Sequence, residues 1–504
     1  MNKKIVINIG ANFLGKVVTM LSTYLFVPLY LKYLGNELYG VVSFYTTLQN
    51  VMLILGMGLT STLRKEFAIE ENSYRKCKLL KAVEYIYFFI MIIIIFLCFM
   101  LANTLISKYI NIGSWDFKQI RNAIGLMGIS IAFHLVSNLY SGCLLGAGKH
   151  ISANIWQAIW AVTRSGCAVL VLIFVNVDII LFFLTQIIVD ILYVLILRSE
   201  IYSWMKKQNI YCNIFNINDF KILKDIIPYT VGLLGISVVS VINTQLDKIL
   251  VLNRFDFATL GVYNTAASFA QIPNSIVTIL MVAIYNEFIA AYSSNKVERY
   301  QRVYFSYYQK IYLFLISTVI FMFFFAQNIL LFWTASPNMA YQSHIVSKIL
   351  LIGNFFLGMQ QVPYYFLLAV GKTRYNNILG IGVVIVNILL TPIIVERQGI
   401  IGAGEIYSLF RLVEFLVLSF VVQKKFIQKK YLSWLCFNIF PPFIMTLILG
   451  LGSYKFFSSF LVSNTLIVFL ALFSGALVLA VHLLISYKTT YELRTMQIGE
   501  KRNQ

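Results

Sequence analysis

A few charged side chains interrupt the apolar stretches of this 504-residue chain, and any chemistry it performs would centre on them. Near the middle of such stretches stand Lys16, Arg164, Asp190, Arg411 and Glu414; nearer their ends stand Glu84, Asp247, Lys248, Glu287, Lys348 and Glu405. A charge at the centre of a bilayer costs at least about 2.5–3.5 kcal/mol on insertion scales, so each needs a partner, a water-filled cavity or a function. Lys16 lies about eleven residues into its stretch, roughly 16 Å at 1.5 Å per residue, which is a long reach for a snorkelling ammonium. A lysine facing a polar cavity is the better reading, and an ammonium there acts as a point charge for phosphate oxygens.

The other charges leave alternatives open. Arg411 and Glu414, spaced i,i+3, share one helix face, so a self-neutralised pair stands level with substrate contact. Arg164 and Asp190 lie at similar depth on successive stretches and can pair. Unpaired, Arg164 would join an anion site and Asp190 would become a coupling-ion ligand. Asp247 and Lys248 are adjacent and point to different faces; which of them is structural stays open. The candidate cationic cavity is therefore Lys16, Arg164, Lys248 and Arg411, and the coupling-ion candidates are Asp190, Asp247 and Glu414.

The elements that must carry these residues are membrane helices. The chain is 59% apolar and 12% charged, with a mean hydropathy of +0.80. Soluble domains average about 45–50% apolar and about 25% charged, so a typical cytosolic enzyme is excluded. The net charge of +20 suits membrane topology better than nucleic acid in so apolar a chain. Stretches long enough to span begin near residues 5, 38, 82, 120, 151, 177, 226, 260, 305, 343, 373, 400, 433 and 460, about fourteen helices. The first, behind Lys3 and Lys4, has no small-residue cleavage site and reads as an uncleaved span. With both termini cytoplasmic, alternating loops place 28 Lys and Arg inside and 7 outside.

Other features are quieter. The six cysteines show no C-x-x-C spacing, so neither a zinc site nor a disulfide framework fits, and no cofactor is expected beyond a coupling ion. Four histidines (His134, His150, His344, His482) are scattered singly and no external loop could hold a catalytic domain, so a glycosyltransferase or polymerase is set aside. Tyr300, Tyr304, Tyr307, Tyr308 and Tyr312 mark one side of a helix and read first as an interfacial aromatic belt. The basic 64–81 segment reads as a surface attracted to anionic headgroups.

An internal repeat organises the whole. Leu144-Leu-Gly-Ala-Gly-Lys-His-Ile-Ser-Ala-Asn-Ile155 matches Leu367-Leu-Ala-Val-Gly-Lys-Thr-Arg-Tyr-Asn-Asn-Ile378 at an offset of 223, and Gly40 aligns with Gly261 at an offset of 221. Six spans per repeat, an even number, give both halves the same orientation. The expected layout is a six-helix bundle over 1–198, a cytoplasmic linker over 199–225, a second bundle over 226–423, and two further helices with a tail over 424–504.

Val27-Pro-Leu-Tyr-Leu-Lys-Tyr-Leu-Gly-Asn-Glu-Leu-Tyr-Gly40 resembles the early P-x-x-x-x-x-x-L-G-x-x-x-Y-G pattern of bacterial polysaccharide flippases of the O-antigen and capsule type. These belong to the multidrug/oligosaccharidyl-lipid/polysaccharide exporter superfamily. Asp247-Lys-Ile-Leu followed by Leu260-Gly-Val-Tyr263 resembles the second-half counterpart, and the Gly-Lys turns at 148–149 and 371–372 fit as well. The resemblance implies an all-α integral membrane protein with two parallel bundles in a V-shaped, alternating-access transporter. It also implies a polyprenyl-pyrophosphate oligosaccharide carried to the outer leaflet of a bacterial cytoplasmic membrane. Coupling to H+ or Na+, and work beside a polysaccharide polymerase or glycosyltransferases, would go with it. An organic-cation exporter of the same superfamily would want carboxylates where the first helix has Lys16. A peptidoglycan-precursor flippase would carry several early arginines.

Overall fold

The computed structural model describes residues 3–69, 73–109, 116–210, 222–224, 226–294, 296–427, 439–459 and 463–502. The described residues form helices and no strand: α1 Lys3–Met52, α2 Ile54–Ala68, α3 Ser73–Tyr109, α4 Phe117–Gly146, α5 His150–Phe174, α6 Ile179–Lys207, α7 Ile227–Arg254 and α8 Phe257–Ser293 come first. There follow α9 Val297–Phe324, α10 Ala326–Thr334, α11 Pro337–Ala369, α12 Arg374–Val422 with a π-helical turn at Gln423–Ile427, α13 Phe440–Ser459 and α14 Asn464–Arg502. Hydrocarbon has no water to satisfy backbone N–H and C=O groups, which is why a chain this apolar closes its hydrogen bonds within helices.

Twelve helices among the described residues are long and apolar enough to cross a membrane. Two are too long for one crossing: α1 has 50 residues and α12 has 49. At 1.5 Å per residue each would run about 75 Å against roughly 30 Å of hydrocarbon. Both are broken at a glycine of positive φ, Gly35 (φ 73°) and Gly399 (φ 66°), so the two count double and approach the expected fourteen. The repeat accounts for where these breaks fall. Gly35 corresponds at offset 221 to Asp256, in the turn between α7 and α8, and Gly399 corresponds at offset 223 to Asn176, in the turn between α5 and α6.

The two Gly-Lys turns display the repeat at the level of single hydrogen bonds. Lys149 N–H donates to the Leu144 carbonyl and Lys372 N–H to the Leu367 carbonyl, each at 2.9 Å. Gly148 (φ 75°) and Gly371 (φ 74°) hold the left-handed position, so both turns end their helices as the same Schellman motif. Gly148→Ala or Gly371→Ala is expected to cost about 1–2 kcal/mol through φ alone, since neither position has an atom near the new Cβ. Unfolding in detergent micelles would measure it.

Contacts divide the chain into two compact units, residues 1–264 with 391–396, and residues 265–390 with 397–504. In the first, Leu63, Phe67, Leu80, Leu139, Leu197 and Ile201 form a core from α2, α3, α4 and α6. Here α2 also packs on the start of α7, where Thr62 and Thr230 hydroxyls bond at 2.9 Å. Residues 36–52 of α1 meet the start of α8 so closely that a Cβ on Gly40 would lie 1.9 Å from the Phe257 carbonyl oxygen. Nearby, Asn264 Nδ2 donates to the Ser43 carbonyl at 3.1 Å.

The second unit corrects the reading of the tyrosine stripe. Tyr304, Tyr308 and Tyr312 are buried, packed with Phe288, Phe366 and Leu418 rather than lying in an interfacial belt. The reason lies in backbone acceptors: Tyr300, Gln301 and Tyr312 donate to the carbonyls of Phe426, Ile427 and Ile439 (3.1, 2.7 and 2.8 Å). The first two lie at the end of the π-helical turn, where the helical ladder leaves acceptors unused, and the Ile439 carbonyl also takes the Phe443 N–H at the entry to α13. Pro28, Pro273, Pro363 and Pro392 lie inside helices, whereas Pro228 sits in the first turn of α7. Cys98, Cys143 and Cys167 are free thiols, and Cys77 is disulfide-bonded, which the cysteine spacing does not reveal.

Candidate functional site: intramembrane charge networks

The structure brings Arg164 and Asp190 together. The Arg164 Nε lies 3.2 Å from Asp190 Oδ1, with the Asp190 side chain fully shielded. Asp190 on α6 also accepts from Ser130 Oγ on α4 (2.5 Å) and from Trp160 Nε1 on α5 (2.8 Å). The Arg164 guanidinium bonds the Tyr45 hydroxyl and lies over the Tyr45 and Trp160 rings, 5.3 and 5.2 Å from their centroids. His134 stacks on the far side of this system, 4.7 Å from Trp160. Four helices thus converge on one ion pair inside the first unit.

Helical spacing makes the convergence possible. Trp160 and Arg164 are four residues apart on α5, so both project from one face. The carboxylate accepts from two side chains, Ser130 and Trp160, and faces the Arg164 charge, the condition under which a buried charge is tolerated. Sequence reasoning paired the arginine with the aspartate as one option; it missed Tyr45, Ser130 and Trp160. The Trp-x-x-x-Arg spacing on a helix facing an acidic one was the available signal.

In the second unit Arg411 Nη1 and Glu414 Oε2 are 2.5 Å apart, both buried, with the arginine 5.0 Å from the Tyr407 ring centroid. The i,i+3 spacing is realised as a pair on one helix face. A neutral cluster that a search for charges overlooks lies on α8 and α11: Gln361 Nε2 donates to Asn274 Oδ1 (2.6 Å) and Thr278 Oγ1 (2.9 Å).

Asp247 and Lys248 diverge, as adjacency on a helix requires. Asp247 Oδ2 accepts from the Tyr263 hydroxyl at 2.6 Å, and Tyr263 is fully buried. Lys248 is half-buried and makes no ion pair among the described residues. Lys16 is exposed along α1, likewise without a carboxylate partner among the described residues. Beside it, Gly15 packs against Asn154, leaving less than 3 Å for a Cβ, so α1 is held tightly on α5 at this level.

The candidates therefore sort into two kinds: neutralised pairs (Arg164 with Asp190, Arg411 with Glu414) and cations that make no ion pair among the described residues (Lys16 and Lys248). Chemically, the first kind can exchange a proton or a small cation against a guanidinium. The second can hold an anion.

Comparison with known proteins bears on what these networks serve. The family described as "Polysaccharide biosynthesis protein" matches residues 5–285, more than half of the chain, and the MatE family matches residues 236–393. A Shigella flexneri protein provisionally named an O-antigen transporter is 20% identical over 395 residues, covering 77% of this chain and 90% of its own. Among solved structures, the inward closed conformation of the lipid II flippase MurJ aligns with a TM-score of 0.74 at 16% identity, over 96% of this chain and 100% of that one. An inward-facing multidrug resistance transporter of the MATE family aligns with a TM-score of 0.63 at 13% identity, over 82% of this chain and 94% of that one.

Proposed function

We propose, from the premise that this chain belongs to the polysaccharide biosynthesis protein family of membrane transporters, that it is a flippase for a polyprenyl-pyrophosphate-linked oligosaccharide. It carries the repeat unit from the inner to the outer leaflet of a bacterial cytoplasmic membrane by alternating access. The family match over residues 5–285 carries this reading, and the Shigella flexneri relative supports a glycan of the O-antigen kind. The chemistry agrees. Moving a pyrophosphate outward follows an inside-negative potential worth about 2.3 kcal/mol per charge per 100 mV. The costly part is the hydrophilic glycan, and a polar, cation-bearing path lowers that cost.

Lys16 and Lys248 are the groups offered to the pyrophosphate, with Arg164 and Arg411 reaching it only by leaving their carboxylates. Asp190, Glu414 and Asp247 are the acids offered to a coupling H+ or Na+. Coupling then works by competition: a proton or Na+ on the acid loosens its arginine. Transport by Asp190→Asn and Glu414→Gln variants in proteoliposomes with imposed pH or Na+ gradients tests this. Flipping that keeps its dependence on both gradients in both variants removes these acids from coupling.

Lys16→Gln is expected to lower transport about tenfold, the worth of one charge-assisted hydrogen bond, while leaving the melting temperature unchanged because the side chain is exposed. Lys16→Arg should retain most of the activity. Deleting the gene and extracting polyprenyl-linked glycans tests the function as a whole. A protected, cytoplasm-facing oligosaccharide should accumulate while surface polysaccharide is lost. The fold match to the lipid II flippase keeps a peptidoglycan precursor as the second reading, and accumulation of that lipid instead would select it. Unchanged lipid-linked glycans, with loss of dye efflux, would select an organic-cation antiporter.

A further inference from the structure

The neutral cluster on α8 and α11 of the second unit takes no part in the charge chemistry above, and it continues into an aromatic pair. Asn274, Thr278 and Tyr285 follow one another at i, i+4 and i+11, so they share one face of α8. Gln361 and Tyr365, four residues apart, share one face of α11. The two faces meet at both levels. Gln361 Nε2 donates to Asn274 Oδ1 and Thr278 Oγ1 (2.6 and 2.9 Å), and the Tyr285 and Tyr365 rings lie edge to face, 6.0 Å apart. The result is one seam, with amides and a hydroxyl first and aromatic rings nearer the ends of both helices.

Hydrocarbon does not suit this seam. Asn274 stands at the middle of α8, a helix long and apolar enough to cross a membrane, as is α11. Thr278, Gln361, Tyr285 and Tyr365 are half-buried, so they reach a surface, and Tyr364 beside them is 39% exposed. Gln361 Oε1 has no hydrogen-bond partner among the described residues, so the amide still has an acceptor open. Unsatisfied polar groups are costly in lipid, and this side of the two helices therefore faces water or a ligand.

The seam's groups select the chemistry of that ligand. They are neutral, so a phosphate finds no cation among them and an organic cation finds no carboxylate. Amides and hydroxyls both donate and accept, as sugar hydroxyls do. The C–H face of a sugar ring packs on the electron-rich face of an aromatic ring. We infer that the seam is a glycan subsite, with a sugar ring against Tyr285 and Tyr365 and its hydroxyls on the Gln361 and Asn274 amides and Thr278. This rests on the cargo being a lipid-linked oligosaccharide. Lys16 and Lys248, the cations offered to the pyrophosphate, belong to the first unit, so the seam can be altered without removing a charge.

Native mass spectrometry of the full chain from detergent tests this with a pair of probes. One is the polyprenyl-pyrophosphate oligosaccharide extracted from cells lacking the gene; the other is bare polyprenyl pyrophosphate. The unaltered protein should retain the glycan-bearing lipid more tightly. Gln361→Leu and Tyr365→Ala should each weaken that retention about tenfold and leave the bare lipid unchanged. Tyr365→Phe keeps the ring and should keep most of the retention. Thr278→Val, close in shape, should cost about threefold, and it carries the test if the larger changes unfold the chain. Variants that weaken both lipids alike, or that keep full retention of the glycan-bearing one, would overturn the subsite alone. Equal retention of the two probes by the unaltered protein would do the same. Retention of neither probe would instead overturn the flippase reading beneath it.

Discussion

Asp190→Ala is expected to destabilise the protein by about 3–5 kcal/mol, the cost of leaving a buried arginine without its counter-charge. The Arg164 side chain is 14% exposed and held by Tyr45 and Trp160, and Trp160 Nε1 loses its acceptor at the same time. The double variant Arg164→Met with Asp190→Ala removes both charges. It should recover most of the loss, retaining about 1–3 kcal/mol for the orphaned indole N–H, while Tyr45 and Ser130 still bond each other at 2.9 Å. Denaturant unfolding in micelles, as a double-mutant cycle, separates the terms. A double variant as unstable as Asp190→Ala would show that the ion pair is not what holds these four helices in register.

Gly40→Ala should be as damaging for a different reason. The new Cβ would lie 1.9 Å from the Phe257 oxygen and 2.3 Å from its carbonyl carbon, both backbone atoms that no rotamer change can move. Overpacking typically costs about 1–3 kcal/mol and more when the neighbour is rigid, so a loss at or above the top of that range is expected. Gly261→Ala, whose nearest contacts lie at 3.3 Å, should cost less. Gly232→Ala on α7 meets nothing within 4 Å and should be neutral or stabilising, by up to about 0.5–1 kcal/mol. Melting curves of the three variants give the order. A Gly40→Ala protein as stable as the parent would mean that the α1–α8 crossing can open at little cost.

The spans and their breaks were legible because hydropathy and chain length are local properties. The offset between Gly148 and Gly371 announced a repeat that the matching turns then displayed. The i,i+3 pair Arg411 and Glu414 was legible for the same reason, since one helix fixes its geometry. Arg164 and Asp190 were visible only as charges that needed a remedy. The remedy itself includes Tyr45, Ser130 and Trp160, and the placement of those side chains depends on how separate helices pack, which no spacing encodes. Neutral polar residues such as Asn274, Thr278 and Gln361 carry even less signal, because a buried amide is cheap enough to go unnoticed among apolar neighbours. The tyrosines of α9 misled through their position: a stripe near a helix end suits a membrane surface and a carbonyl-rich chain turn equally well.

The contact between Ser43 and Asn264 has an ancestral reading. These two positions differ by 221 residues, the offset at which Gly40 corresponds to Gly261 and Asn36 to Phe257. Each therefore meets the residue that stands in its own place in the other repeat. In a symmetric pair of identical chains, a position on the two-fold axis meets its own copy, and such an interface is self-complementary. A half-length precursor with six spans, inserted one way only, could have met a second copy of itself through this one position.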